Sequence, residues 1–237
     1  MQAESLSHGD ANPLQRTAKW FSDRCGCLTA SRAADALAIS AKTGKPLKSR
    51  QDLIDTLIAE RATGVAQSSG TTWAMQWGID HEAEAREAYE AATGEMVDLV
   101  GFIPHPDIPW FGASPDGLVG SDGLVEIKCP QTVTHLRRIA AGVPAPEYLL
   151  QMDVQLICTG KKWCDYVDYD PRLEAKNPEL TLFIRRYEPA PEHLAGTLEA
   201  CRVFLAEVDS QYVVPKHFSM KFLFVLNIKT SGELQFL

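Results

Sequence analysis

Three residues in the middle of the chain could together hold a divalent metal ion and act on a phosphodiester. They are Asp116, which stands in a Ser-Pro-Asp-Gly segment, and Glu126 and Lys128, which follow it in a Glu-x-Lys pattern. Carboxylate oxygens are ligands that Mg²⁺ prefers, and a bound Mg²⁺ activates water and neutralises phosphate oxygens. A lysine beside them would steady the nucleophile or the developing negative charge. The pattern therefore predicts a metal-dependent site with Asp116 and Glu126 as ligands.

The segment around Glu126 is predicted to be a short buried strand, because apolar residues alternate with its charged ones and a proline ends it. Side chains two positions apart project from the same face of a strand, so Glu126 and Lys128 are expected on one side of a sheet. Asp116 precedes a chain reversal, and a hairpin would bring its carboxylate beside Glu126. A plain amphipathic strand with a solvated charged face is the alternative explanation.

The elements around this strand predict an α+β domain with a mixed central β-sheet flanked by helices, because helices precede and follow a run of strands. Residues 1–12 are expected to be a disordered tail, residues 13–209 a single domain, and residues 210–237 a C-terminal tail whose role the sequence leaves open. Helices are predicted at 14–24, from Thr29 or Ser31 to Ile39, from a Ser49 cap to Gly64, from Thr71 or Thr72 to Ala92 with Gly94 as its end, and at 132–141, 146–158 and 191–208. Strands are predicted at 96–103, 110–114, 117–120, 123–129, 162–169 and 180–187.

The composition is that of a globular protein with one sizeable hydrophobic core. The chain has 237 residues, of which 45% are hydrophobic and 23% are charged. No apolar run is long enough to span a bilayer and the polar N-terminus is unlike a signal peptide, so a cytoplasmic location is expected. The six cysteines lack paired C-x-x-C spacing, and we expect buried reduced thiols rather than a zinc site or disulfides.

The formal net charge of −8 argues against a general nucleic-acid coat protein. It does not exclude a nuclease, since a metal site needs clustered acidic groups and a local basic patch can still attract phosphates. Four basic residues form such a patch: Lys42, Lys45, Lys48 and Arg50. A solvated loop is the other explanation for this patch.

Several motifs, taken together, resemble the lambda-exonuclease (YqaJ-type viral recombinase) family of restriction-endonuclease-like nucleases. The motifs are Trp20-x-x-x-Arg24, Leu28-Thr29-Ala30-Ser31, Trp77-Gly78-x-x-x-Glu82, Ser114-Pro115-Asp116-Gly117, Glu126-Ile127-Lys128-Cys129-Pro130, Gln151 to Gln155, and Tyr169-Asp170-Pro171-Arg172. They stand in the family's order from about Trp20 to about Phe204. The resemblance implies a restriction-endonuclease-like core, which agrees with the mixed sheet predicted above.

The resemblance also implies a role for each matched residue. The metal ligands would be Asp116, Glu126, the backbone carbonyl of Ile127, and Glu82 directly or through a water. Lys128 would orient the attacking water, and Gln151 would lie near that water or the scissile phosphate; a hydrogen bond in the core is the alternative for this glutamine. A terminal 5′-phosphate would be bound by Arg24, Ser31 and Ser114, and the duplex by Lys42, Lys45, Lys48 and Arg50.

By the same resemblance, the expected activity is that of a Mg²⁺-dependent 5′→3′ exonuclease on linear double-stranded DNA ends that carry a 5′-phosphate. It would leave 3′ overhangs for recombination, with two Mg²⁺ ions in the site and Mn²⁺ as a substitute. The implied partners are two further copies in a ring-shaped homotrimer and a single-strand annealing protein, in a bacterial cytoplasm and encoded by host or phage. The alternatives are a restriction-like endonuclease, a structure-specific DNA repair nuclease, and a non-catalytic DNA-end-binding scaffold.

Overall fold

A computed structural model describes residues 12–67, 70 and 72–212. The helices are α1 (Ala18–Arg24), α2 (Ala33–Ala36), α3 (Lys48–Thr63), α4 (Trp73–Thr93), α5 (Thr132–Ala141), α6 (Pro146–Thr159) and α7 (Pro191–Gln211). The strands are β1 (Leu28–Thr29), β2 (Val97–Asp98), β3 (Ile103–Pro104), β4 (Phe111–Ala113), β5 (Gly117–Val119), β6 (Gly123–Lys128), β7 (Trp163–Tyr169) and β8 (Leu182–Tyr187). Short 3₁₀ helices span Ala30–Arg32, Pro171–Leu173 and Pro178–Leu180.

The strands form two sheets of mixed direction. A five-stranded sheet has the order β2-β5-β6-β7-β8, and a three-stranded sheet has the order β1-β4-β3. Strands β6 and β7 pair in parallel, as do β1 and β4, whereas the other pairs are antiparallel. The predicted α+β class with a mixed central sheet is confirmed.

Strand β6 lies in the middle of the larger sheet and is covered on both faces. Val125 and Ile127 pack in one apolar cluster with Ala85 and Tyr89 of α4. Leu124, on the opposite face, packs in a second cluster with residues of α6. Because side chains alternate along a strand, Glu126 and Lys128 share the α6 side of the sheet, as predicted.

The hairpin between β5 and β6 brings Asp116 beside Glu126. Gly117 of β5 pairs with Val125 of β6 in the antiparallel register. Asp116, which precedes Gly117, therefore lies near Glu126, which follows Val125. A Cβ added at Gly117 would lie 2.1 Å from Cγ1 of Val97. Glycine is therefore needed directly after Asp116 for β2 to approach β5 this closely.

Helix α4 has the ends that the sequence predicts. The hydroxyl of Thr72 accepts a hydrogen bond from the amide of Met75, and Gly94 ends the helix with φ of 75°. This helix carries Glu82 towards the sheet. No helix in the described ranges is both long and apolar enough to cross a membrane.

The N-terminal segment differs from its prediction. Helix α1 begins at Ala18 rather than at residue 14, because the hydroxyl of Thr17 caps it through the amide of Trp20 and Arg16 has a non-helical φ of 61°. Asn12, assigned to the disordered tail, is buried and donates a hydrogen bond to the carbonyl of Val100. Residues 1–11 lie outside the described part of the chain.

The predicted second helix is largely replaced by other structure. Residue Thr29 belongs to β1, which the sequence did not predict, and neither Thr29 nor Ser31 caps a helix through its side chain. Helix α2 is only four residues long. Ser49 is likewise not a cap, because α3 begins at Lys48 after Leu47.

Two further predictions need correction at the edges of elements. The strand predicted at 96–103 is two short strands that belong to different sheets. Helix α7 continues to Gln211 rather than ending near 208. Of the tail predicted at 210–237, residues 210 and 211 belong to α7 instead, and residues 213–237 lie outside the described residues.

Candidate active site

A cavity of about 660 Å³ opens beside the end of β6 and between α1 and α4. It joins the two groups of residues that the sequence assigns to separate tasks, metal binding and phosphate binding. The predicted site residues that line it are Arg24, Ser31, Glu82, Ser114, Asp116, Ile127 and Lys128. Glu126 and Gln151 are not in its wall.

Glu126 is the most enclosed of the predicted metal ligands, with 1% of its surface exposed. Its Oε1 accepts hydrogen bonds from Nζ of Lys128 and, at 2.6 Å, from Nε2 of Gln151. Its Oε2 accepts a hydrogen bond from Nε2 of Gln155, one turn further along α6. Both glutamines therefore fix the buried carboxylate, and the expected place of Gln151 near the attacking water or the scissile phosphate stays a prediction.

Asp116 completes the carboxylate group. Its Oδ2 accepts a hydrogen bond of 2.7 Å from the amide of Ile127. Burial raises the pKa of Asp116 well above its usual range, and the negative charges of Glu126 and Glu82 act in the same direction. The charge of Lys128 and the hydrogen bond from the amide of Ile127 oppose them only in part. Three carboxylates this close together therefore favour the neutral form of Asp116 unless a bound cation compensates their charge.

Lys128 remains a cation in this surrounding. Burial disfavours its ammonium, but the charges of Glu126 and Asp116 outweigh that effect and raise the pKa of Lys128 above its usual value. Its Nζ also lies 5.1 Å from the centre of the Tyr148 ring, a cation–π distance. A charged lysine can donate hydrogen bonds and stabilise negative charge.

Glu82 projects from α4 and is 6% exposed. Its Oε2 pairs with Nη2 of Arg16 at 2.6 Å. Its Oε1 is buried and has no hydrogen-bond partner among the described residues. The sequence did not single out Arg16, because this arginine lies outside every matched motif and meets Glu82 only through the tertiary fold.

The residues present fit a hard divalent cation that arrives with other ligands. No group of three Asp, Glu, His or Cys side chains forms a preassembled metal cage in the part of the chain that the structure describes. Mg²⁺, however, commonly uses one or two carboxylates and completes its shell with waters and substrate phosphates. The free oxygen of Glu82 and the close approach of Glu82 and Glu126 to Asp116 suit such an ion.

The predicted phosphate residues meet at the other side of the cavity. Oγ of Ser114 accepts hydrogen bonds of 3.0 Å from Nε1 of Trp20 and from Nη1 of Arg24. The guanidinium of Arg24 lies 4.0 Å above the Trp20 ring. Burial lowers the pKa of Arg24 to about 10, and the positive charge of Arg32 acts in the same direction. Ser31 lines the same space, so this end of the cavity is suited to an anion.

Three of the four basic residues predicted to contact DNA are exposed, and the fourth is buried. Lys42 and Lys45 are exposed, and Lys48, also exposed, pairs with Asp52 at 2.6 Å. Arg50 needs correction: it is 6% exposed and bonds to the carbonyl of Ala36 and to a carboxylate of α7. These contacts hold Arg50 inside the domain and away from the cavity, so it does not belong to an exposed basic patch. None of the four basic residues lines the cavity.

The chain is similar to solved structures of an alkaline exonuclease and to the model of one protein family. The restriction-endonuclease-like α+β fold is shared with the crystal structure of an alkaline exonuclease (LHK-Exo) from Laribacter hongkongensis, at a TM-score of 0.78 and 42% identity, covering 87% of this chain and 100% of that chain. A structure of LHK-Exo in complex with dAMP matches with the same TM-score and coverage at 43% identity. A model of the YqaJ-like viral recombinase domain matches residues 19–162. The chain belongs to this family.

A more distant match supports the fold alone. The crystal structure of a phage related exonuclease from Haemophilus somnus 129PT is 12% identical, with a TM-score of 0.59 over 79% of this chain and 96% of that chain. A search of curated proteins found no match.

Proposed function

We propose that this protein is a Mg²⁺-dependent 5′→3′ exonuclease that degrades the 5′ strand of linear double-stranded DNA and leaves 3′ overhangs. One observation carries the proposal: a single cavity joins an anion pocket at Arg24 and Ser114 to the carboxylate–lysine group at Asp116 and Lys128. An end-acting nuclease needs both in one space, since it must hold a terminal phosphate and cut the strand close by. The similarity to LHK-Exo, an alkaline exonuclease, supports the same conclusion.

The terminal 5′-phosphate would bind in the Arg24 pocket. The hydroxyl of Ser114 already accepts two hydrogen bonds, so its own proton is left to donate to a phosphate oxygen. The guanidinium of Arg24 supplies charge, and the stack on Trp20 fixes its plane. Ser31 adds a second hydroxyl on the same wall.

The chain's residues at the cleavage position would hold the metal and stabilise charge. Mg²⁺ would be held by Asp116, Glu82 and the carbonyl of Ile127. Glu126 would become a further ligand once its Oε1 no longer accepts a hydrogen bond from Lys128 or Gln151. Mg²⁺, when bound, supplies activation of water and neutralisation of phosphate oxygens. Lys128 donates to the negative charge that develops on the phosphate, and Gln155 keeps Glu126 oriented. The proposal includes two ions, with Mn²⁺ as a substitute.

The proposal extends to the assembly in which the enzyme works. The family resemblance supports a homotrimer that encircles DNA, a single-strand annealing partner that takes the exposed 3′ strand, and a cytoplasmic site of action. Lys42 and Lys45 are the exposed basic residues that remain available for duplex contacts.

A comparison of linear and covalently closed DNA tests the proposal. With Mg²⁺, a linear 5′-phosphorylated duplex should be degraded, whereas a closed plasmid of the same sequence should stay intact because it has no end. Addition of EDTA should stop the degradation. Cutting of the closed plasmid would instead indicate an endonuclease, and binding to ends without any product would indicate a scaffold.

A further inference from the structure

The ion pair between Arg16 and Glu82 makes only one of the two parallel hydrogen bonds that an arginine and a carboxylate can share. Nη2 of Arg16 bonds to Oε2 of Glu82 at 2.6 Å. Nη1 of Arg16 and Oε1 of Glu82 are both buried, and neither has a hydrogen-bond partner among the described residues. Arginine and carboxylate can pair through two parallel bonds, so the single bond leaves one donor and one acceptor unused on the same pair.

Unused polar atoms of this kind indicate a ligand with two complementary parts. Buried donors and acceptors are normally satisfied, because leaving them without a partner is unfavourable. Nη1 of Arg16 requires an acceptor, whereas Oε1 of Glu82 requires a cation or a donor. A phosphodiester accompanied by a divalent cation meets both requirements at once: a phosphate oxygen accepts from Arg16 and the cation meets Glu82.

The backbone holds Arg16 at the position where such a ligand would lie. Arg16 has φ of 61°, an unfavourable value for a residue other than glycine. Its neighbour Gln15 fixes this turn, since Nε2 of Gln15 donates to the carbonyl of Pro115 at 2.9 Å, directly before Asp116. Arg16 lines the same cavity as Arg24 and Asp116. The strained turn therefore sets a guanidinium beside Glu82 in the cavity that holds the anion pocket and the carboxylate group.

We propose that Arg16 is a phosphate-binding residue of the site: Nη1 donates to a non-bridging oxygen of the phosphate at the cleavage position, while Nη2 keeps Glu82 oriented. This inference rests on the function proposed above and adds a substrate contact to it. The guanidinium fork is essential to the role, because one arm serves the carboxylate and the other serves the DNA. A lysine at position 16 would keep the charge beside Glu82 but lose the fork.

The test uses Arg16→Lys, with Lys19→Ala as the matched control. Lys19 is a largely exposed cation on α1 that pairs only with Asp23 in the described structure. Affinity for a 5′-phosphorylated duplex is measured by fluorescence anisotropy with Ca²⁺ in place of Mg²⁺, and Ca²⁺ binding without DNA is measured by calorimetry. We expect Arg16→Lys to bind DNA about tenfold more weakly, the loss typical of one charged hydrogen bond. Its Ca²⁺ affinity and the DNA affinity of Lys19→Ala should be unchanged.

The possible outcomes separate this inference from the proposed function. DNA affinity of Arg16→Lys equal to that of the wild type would overturn the inference while leaving the nuclease proposal intact. Loss of Ca²⁺ affinity in parallel with DNA affinity would also overturn it, because Arg16 would then act only through Glu82. A wild-type protein that neither binds nor cleaves duplex ends would overturn the proposed function itself. Circular dichroism checks folding, and Arg16→Gln provides a second variant should Arg16→Lys misfold.

Discussion

At the scale of single residues, the site depends on how Glu126 is held rather than on its exposure. This carboxylate is 1% exposed, yet it orients Lys128 and is itself fixed by Gln151 and Gln155. A lysine next to an unfixed carboxylate would sample many positions, and each would weaken its hold on a developing charge. Preorganised charge of this kind is what makes electrostatic stabilisation effective.

Arg24 leads to a prediction about substrate choice. Its guanidinium and the hydroxyl of Ser114 form the proposed anion pocket, so Arg24→Ala should remove most of the preference for a 5′-phosphate. We expect the ratio of kcat/KM for 5′-phosphorylated and 5′-hydroxyl duplexes to fall about tenfold, as for one charged hydrogen bond. The exposed Arg185 provides the control, since Arg185→Ala should leave the ratio unchanged. An unchanged ratio in Arg24→Ala would show that the 5′-phosphate binds elsewhere.

At the scale of elements, a buried carboxylate joins α3 to the turn before β1. Glu60 is 1% exposed and accepts two hydrogen bonds from Arg32, at 3.0 and 3.1 Å, and one from the amide of Gly26 at 2.8 Å. This turn follows Arg24 and leads to Ser31. Glu60→Ala should therefore lower the free energy of unfolding by about 3 kcal/mol, because it leaves Arg32 without its partner.

Urea unfolding of Glu60→Ala, with the exposed Glu179→Ala as control, measures this effect. A loss close to that of the control would mean that the turn is held mainly by apolar packing. The expected loss should be accompanied by a weaker 5′-phosphate preference, because Arg24 and Ser31 flank the same turn.

His135 joins α5 to the sheet and gives a prediction about pH. Its Nδ1 lies 2.5 Å from Oδ1 of Asp168 and its Nε2 lies 2.6 Å from the carbonyl of Leu180. Both neighbours are acceptors, so the charged ring with two N–H groups satisfies both. Burial opposes this charge, but the bonds to Asp168 and Leu180 outweigh it and raise the pKa of His135 above its usual value.

The pKa of His135 is higher in the folded protein than in the unfolded chain. The contribution of charged His135 to stability is therefore fully present below the unfolded pKa of about 6.5, and it is lost as pH rises through the folded pKa. The free energy of unfolding should fall over that range in the wild type, and His135→Gln should show a smaller fall. Urea titrations across the pH series measure it. Equal slopes for both proteins would contradict the assignment of a charged His135.

The sequence predicted those elements whose signals are local. The alternation of apolar and charged residues around Glu126 was sufficient to predict β6, and Thr72 and Gly94 marked the two ends of α4. Strand β1 has only two residues and exists because it pairs with β4, far along the chain. Arg50 looked like part of a basic loop, but its burial depends on Glu207 of α7. The features that the sequence did not predict are those that depend on contacts with residues far away along the chain.

At the scale of the whole molecule, the net charge of −8 leaves DNA binding to local features. General attraction to a duplex is weak for such a chain, since non-specific affinity comes mainly from cations that neutralise phosphates. The cavity is different, because Arg16, Arg24 and Lys128 all line it. An acidic protein that places these three basic side chains in this cavity should recognise DNA ends far better than continuous duplex, as an exonuclease must.

We propose above that Asp116 and Lys128 act with Mg²⁺ on a DNA end held in this cavity. The most direct measurement is single-turnover release of nucleotide from a 5′-labelled, 5′-phosphorylated duplex, with and without Mg²⁺, by the wild type, Asp116→Asn and Lys128→Met. We predict Mg²⁺-dependent release of labelled mononucleotide by the wild type, and a loss of at least about 100-fold in both variants with DNA-end binding retained. Release by either variant at the wild-type rate would contradict the account.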